Sequence, residues 1–183
     1  MLAVVARGDT MPAQVMIKLA NRRTGILVIA IAFALSGVAS ALMCSAPENT
    51  PEWIIYSAGV PFAIVSVLFF SDSRGRALVL LVLNSAAWVA AYLSVFATAK
   101  TNQYFAMCVP GFVGGLCVAI ATGISRRSLL RITKIVIVAL VGLVAGLSFF
   151  VNTGLEAPQW RIYAAFVLWQ SAVGVTLYLL SAR

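Results

Sequence analysis

Histidine is missing from the 183-residue chain altogether. With it go the commonest general base and the usual ligand of zinc and haem iron. No Ser-His-Asp or Cys-His machinery can be assembled. Only five carboxylates are present, Asp9, Glu48, Glu52, Asp72 and Glu156, and charged residues make up 10% of the chain, against about 25% in a soluble domain. The three cysteines, Cys44, Cys108 and Cys117, are too few and too irregularly spaced for a disulfide framework or an iron–sulfur cluster. They read as reduced, apolar side chains within helices. The expectation is a protein with no metal, no cofactor and no enzymatic activity.

Apolar residues, by contrast, make up 62% of the sequence, and its mean hydropathy is +1.03. So few charges cannot cover a water-facing surface, so the chain reads as an all-α, polytopic membrane protein. A helix crosses the hydrocarbon core with about 20 apolar residues, and six such runs occur: Thr24–Cys44, Ile54–Phe70, Ala77–Ala97, Tyr104–Ser125, Ile135–Val151 and Ile162–Leu180. They are continuous rather than alternating, which excludes barrel strands. Turn formers such as Pro47, Pro51, Gly75, Asn102, Gly154 and Pro158 separate them. The organisation expected is a basic cytoplasmic segment over 1–23, with Met11 as an alternative start, followed by a six-helix bundle over 24–183. Residues 11–23 form a basic amphipathic lead suited to the membrane interface.

Lysine and arginine set the orientation. Eleven lie in the N-terminal segment, after the second and fourth runs, and at Arg183, whereas the remaining connections hold only Lys100 and Arg161. The positive-inside rule then puts both termini in the cytoplasm of a bacterial-type inner membrane. Trp53, Tyr56, Tyr104, Phe105, Trp160 and Tyr163 mark the opposite interface. Arg161, beside Trp160, reads as a snorkelling anchor.

Shifting the chain on itself by 86 residues brings Asn84-Ser85-Ala86 onto Gln170-Ser171-Ala172 and Tyr92-Leu93 onto Tyr178-Leu179. A duplication of three-helix units would put the halves in opposite orientations, the inverted-repeat design of many transporters. Chance matching between apolar helices is the competing explanation. The runs carry no charged residue, so proton- or voltage-coupled chemistry has no intramembrane group to act through.

The strongest polar groups inside the runs are the amides of Asn84 and Gln170, which hydrocarbon cannot leave unpaired. They either join helices or line a solute path together with Ser85, Ser171, Tyr92 and Tyr178. Asn84 and Tyr92 are eight residues apart and share one helix face. Pro110 and Pro61 are expected to kink or break their helices. Gly111 and Gly115 in the fourth run, and Gly142 and Gly146 in the fifth, have the small-xxx-small spacing of close helix contacts, within the chain or between copies. A broken helix offering backbone groups to a solute is the second reading of Pro110-Gly111. Arg126, Arg127, Arg131 and Lys134 form a basic cytoplasmic patch, which serves as a topology signal on anionic lipid or docks an acidic partner. Nucleic-acid binding is not expected, because the basic residues flank the membrane and no soluble domain carries them.

The length and helix count are those of the substrate-capturing subunits of energy-coupling-factor vitamin transporters, without a matching binding motif. The Asn-Pro-Ala of aquaporin-like proteins and the membrane carboxylate of small multidrug exporters are missing. The function expected is a transport or channel component for a small neutral or amphipathic solute. The alternative is a non-transporting anchor or sensor subunit, as in secretion, envelope-assembly or phage-defence systems. Both leave room for a homo-oligomer or a hetero-complex.

Overall fold

The computed structural model describes residues 22–45, 51–99, 103–152 and 159–181. The basic lead over 11–23, the alternative start and the loops carrying Glu48, Lys100 and Glu156 lie wholly or largely outside them. The described residues are helical, with no strand among them. The order is α1 (Arg22–Cys44), α2 (Glu52–Ser57), α3 (Val60–Phe70), α4 (Arg74–Ala99), α5 (Gln103–Ser125), a 3₁₀ turn (Arg127–Leu129), α6 (Ile132–Asn152) and α7 (Gln159–Ser181). All six apolar runs fall on helices. Five stretches, with α2 and α3 counted as one, are long and apolar enough to cross a membrane; the apolar part described in α6, Ile132–Ser148, is shorter.

The helices are oily on the outside. On α1, Leu27, Ile31, Leu35, Val38 and Leu42 form an exposed stripe, while Ile29, Phe33, Ser36 and Ser40 are buried on the opposite face. Water would not tolerate such an exterior, but lipid solvates it, and polar groups are then confined to the interior. Accordingly Ser36, Ser40, Asn84, Thr122, Ser125 and Gln170 are all buried. Thr122 is satisfied within its own helix, its Oγ1 donating to the Val118 carbonyl at 2.8 Å.

Helices adjacent in the chain are adjacent in space, and α7 closes the ring against α1. Close approaches show that neighbours run antiparallel: Gly37 lies against Val167 and Gly115 against Val138, while Ser171 faces Ala30. The start of α4 and the α5–α6 connection therefore gather Arg74, Arg76, Arg126, Arg127, Arg131 and Lys134 at one end of the bundle. Trp53, Trp160 and Arg161 sit at the other, where the Arg161 guanidinium lies 5.7 Å from the Trp160 ring centroid. A two-fold axis in the membrane plane reverses the direction in which a ring is traversed. The offset of 86 residues pairs each helix with the one three spans further round in the same direction. This ring order is not the one an inverted repeat generates.

The two prolines differ: a helix break accompanies Pro61, as expected, and none accompanies Pro110. Pro61 does not kink a continuous helix: the second span is interrupted at Ala58–Gly59, and Pro61 sits in the first turn of α3, where its missing N–H costs least. Around Pro110, α5 continues unbroken, so the reading of a broken helix presenting its backbone is overturned. One lost bond is tolerated inside a helix whose neighbours pack tightly.

Candidate functional site

The glycine pairs bring α5 and α6 together. A Cβ on Gly142 would stand 2.5 Å from the Gly111 carbonyl oxygen, and one on Gly115 would stand 2.9 Å from that of Val138. Gly111 likewise faces Gly142 and Gly146. The backbones touch, as small-xxx-small spacing permits. Across the ring, Gly37 rests on the Val167 backbone and Gly174 makes room for the Phe33 ring.

Inside this frame, α4 presents Asn84, Ala87, Trp88, Ala91, Tyr92 and Val95 on one face to a pocket of about 160 Å³. The intervals of three and four residues are those of a helical stripe. Pro110, Gly111, Gly114 and Val118 of α5 form a second wall, Phe166, Trp169 and Gln170 of α7 a third, and Gly59 and Phe62 complete it. Val95, Gly59, Pro110 and Phe166 lie towards the end that carries Trp53 and Trp160, away from the cluster Arg74–Lys134. Asn84, Val118 and Gln170 lie near mid-helix. The pocket thus occupies the half of the bundle opposite Arg74, Arg126 and Arg131 and reaches its middle.

Its aromatic walls are fixed by hydrogen bonds. Trp88 Nε1 donates to the Ile55 carbonyl at 2.9 Å, beside the interruption between α2 and α3. Trp169 Nε1 donates to the Gly142 carbonyl at 3.1 Å. The rings interlock: Trp88 and Phe166 have centroids 5.4 Å apart, Phe62 and Trp169 5.8 Å, and Tyr56 meets Tyr92 edge-on at 5.6 Å. Gly59 and Gly114 leave the space that Trp88 and Trp169 fill. Among the described residues no acidic, basic or thiol side chain lines the pocket. Among the described residues no group of three or more His, Cys, Asp or Glu is placed to hold a metal.

Asn84 and Gln170 both reach this pocket, but do not bond each other. Gln170 is a cross-link between α7 and α1: its Oε1 accepts from Ser36 Oγ at 2.5 Å and its Nε2 donates to Ser40 Oγ at 2.8 Å. Asn84 is 1% exposed, and neither its Nδ2 nor its Oδ1 has a hydrogen-bond partner among the described residues. Tyr92 lines the pocket, as its shared face with Asn84 implies. Ser85, Ser171 and Tyr178 are half-buried and are not on its wall. Ser171 Oγ instead faces the Ala30 carbonyl at 3.5 Å.

The basic patch divides. Arg127 and Arg131 are exposed, whereas Lys134 Nζ donates to the Leu180 carbonyl at 2.6 Å. A cation there satisfies a terminal carbonyl and complements the negative end of the α7 dipole. Trp88, Trp169, Phe62 and Phe166 were missed as site residues by the sequence reading. The available signal was a tryptophan four residues after Asn84 and another immediately before Gln170. No protein-family model matches the chain, and no curated protein or solved structure is significantly similar to it.

Proposed function

We propose that the protein is a membrane transport component that binds a small neutral or amphipathic solute in the aromatic pocket. The observation that carries this reading is Asn84, a buried amide without a partner among the described residues, on the wall of a largely apolar pocket. Such a group costs about 1–3 kcal/mol while unpaired, and a solute that bonds it recovers that energy. Mostly apolar and aromatic walls with a few placed polar groups are the usual composition of a small-molecule site.

In this reading six spans cross a bacterial-type inner membrane. The basic end faces the cytoplasm with both termini, by the positive-inside rule, and the pocket opens towards the outer side. The solute is captured outside and moved by facilitated or partner-driven rearrangement. The test is to extract the small molecules retained by the purified protein and compare them with those retained by Ala91→Phe. That change puts a ring into the pocket from α4. Loss of a specific compound is expected; identical extracts from both forms, with both folded, would remove the proposal.

A second reading, an anchor or sensor subunit without transport, draws on the exposed pair Arg127 and Arg131. An acidic cytoplasmic partner captured by the wild type and lost with Arg127→Glu and Arg131→Glu together would favour it.

A further inference from the structure

The two unpartnered atoms of Asn84 are one donor and one acceptor held side by side on a planar carboxamide. A ligand that satisfies both must itself carry an adjacent acceptor and donor in one plane. The walls add two further demands. Ring faces of Trp88, Phe166 and Trp169 favour a flat apolar body, through stacked or edge-on contacts. The described lining residues carry no charged side chain, which disfavours an ion, since its desolvation would have no compensating partner there. Aromatic walls alone would also suit a quaternary ammonium group, but such a cation offers no acceptor to Asn84 Nδ2 and no donor to Oδ1. The amide decides between them.

We infer that the pocket is selective for an uncharged, planar ring compound with a lactam edge, a ring carbonyl next to a ring N–H, paired bidentately with Asn84. This rests on the pocket being a solute site. A cavity of about 150 Å³ is enough for benzene and the pocket measures about 160 Å³, so one ring fits beside Asn84 and a second, fused ring extends from there towards the open outer end. Asn84 is almost fully covered, so seating the edge against it requires a small shift of the neighbouring wall. The two hydrogen bonds gained in the dry interior drive that shift.

The probes are 2-quinolone, N-methyl-2-quinolone, naphthalene and phenyltrimethylammonium. Binding to the full chain in lipid nanodiscs is measured by equilibrium dialysis, with the uptake of empty nanodiscs subtracted. Saturable binding of 2-quinolone about tenfold or more tighter than N-methyl-2-quinolone and naphthalene is expected, each lost hydrogen bond accounting for up to about that factor. Asn84→Leu should abolish the preference while naphthalene still binds. Equal binding of 2-quinolone, its N-methyl derivative and naphthalene to the wild type would overturn the lactam assignment while leaving the pocket reading intact. Tighter binding of phenyltrimethylammonium, or a lactam preference that survives Asn84→Leu in folded protein, would overturn it as well. If no probe binds saturably, or if Ala91→Phe leaves all binding unchanged, the pocket reading itself fails and the assignment falls with it. The wild-type comparison stands whether or not either variant folds.

Discussion

Replacing Asn84 and Gln170 by leucine, one at a time, should move stability in opposite directions. Both residues are buried amides within apolar helices, at 1% and 2% exposure, and from the chain alone they look equivalent. Their partners differ. Asn84 has none among the described residues for either amide atom, and an unpaired buried polar group costs about 1–3 kcal/mol. Leucine branches at the same carbon and carries no polar atom, so Asn84→Leu removes the penalty with little change of shape. A gain of about 1–3 kcal/mol follows. Gln170 bonds Ser36 and Ser40 on the neighbouring helix. Gln170→Leu deletes both bonds and strands Ser40 Oγ, although the single Ser36 hydroxyl proton can turn wholly to the Phe33 carbonyl, 2.8 Å away. Interhelical bonds of this kind contribute from about 0.6 to 2 kcal/mol, so a loss of that order is expected. The assay is unfolding in mild detergent, by heat and by a titration with denaturing detergent. At about 2–4 °C per kcal/mol for a chain of this size, the variants should bracket the wild type by several degrees. If Asn84→Leu melts below the wild type by as much as Gln170→Leu, then Asn84 has a partner in the folded protein and the reasoning fails.

Three further outcomes follow from the packing. Gly142→Leu should destabilise strongly, because even its Cβ would stand 2.5 Å from the Gly111 carbonyl; Gly75→Ala, with nothing within 4 Å, should gain up to about 1 kcal/mol in the same melting assay. Lys134→Met should loosen the end of α7 by removing the bond to the Leu180 carbonyl, raising amide exchange over the last turn with little effect on global melting. Single cysteines at Ser73 and Ser128 should react with an impermeant thiol reagent from the cytoplasmic side, and one at Trp53 from the outer side only; labelling of position 53 from the cytoplasm would refute the proposed topology.

Much of the fold was legible because one length scale sets it. Hydrocarbon thickness demands runs of about 20 apolar residues, and each of the runs found in the chain falls on helix. The Gly111/Gly115 and Gly142/Gly146 pairs were legible for a similar reason: four-residue spacing puts small residues on one face, and the structure presses those faces together. The site was legible only in part. Asn84 and Tyr92 share the pocket face because eight residues span just over two turns. Trp88 and Trp169 escaped notice because tryptophan in a membrane chain reads first as an interface anchor. Their indole N–H groups instead find the Ile55 and Gly142 carbonyls, and those pairings depend on which helices become neighbours.

Closure of the ring by α1 and α7 carries the same lesson further. It unites residues more than 130 positions apart, as Ser36 with Gln170, and no local pattern announces it. Once closed, it turns two amides that match under the 86-residue offset into different devices. Gln170 faces the two serines of α1 and becomes a cross-link. At the site matching α1 under that offset, α5 presents Thr122, whose hydroxyl is already engaged with its own Val118 carbonyl. Asn84 therefore has no equivalent pair of serines to bond and stays unsatisfied on the pocket wall. An amide kept unpaired in a membrane interior is a standing cost to the fold. A protein can carry that cost where function gives the amide a partner that folding does not. The asymmetry between these two residues, more than the presence of either one, is what singles out Asn84 as the proposed contact for a solute.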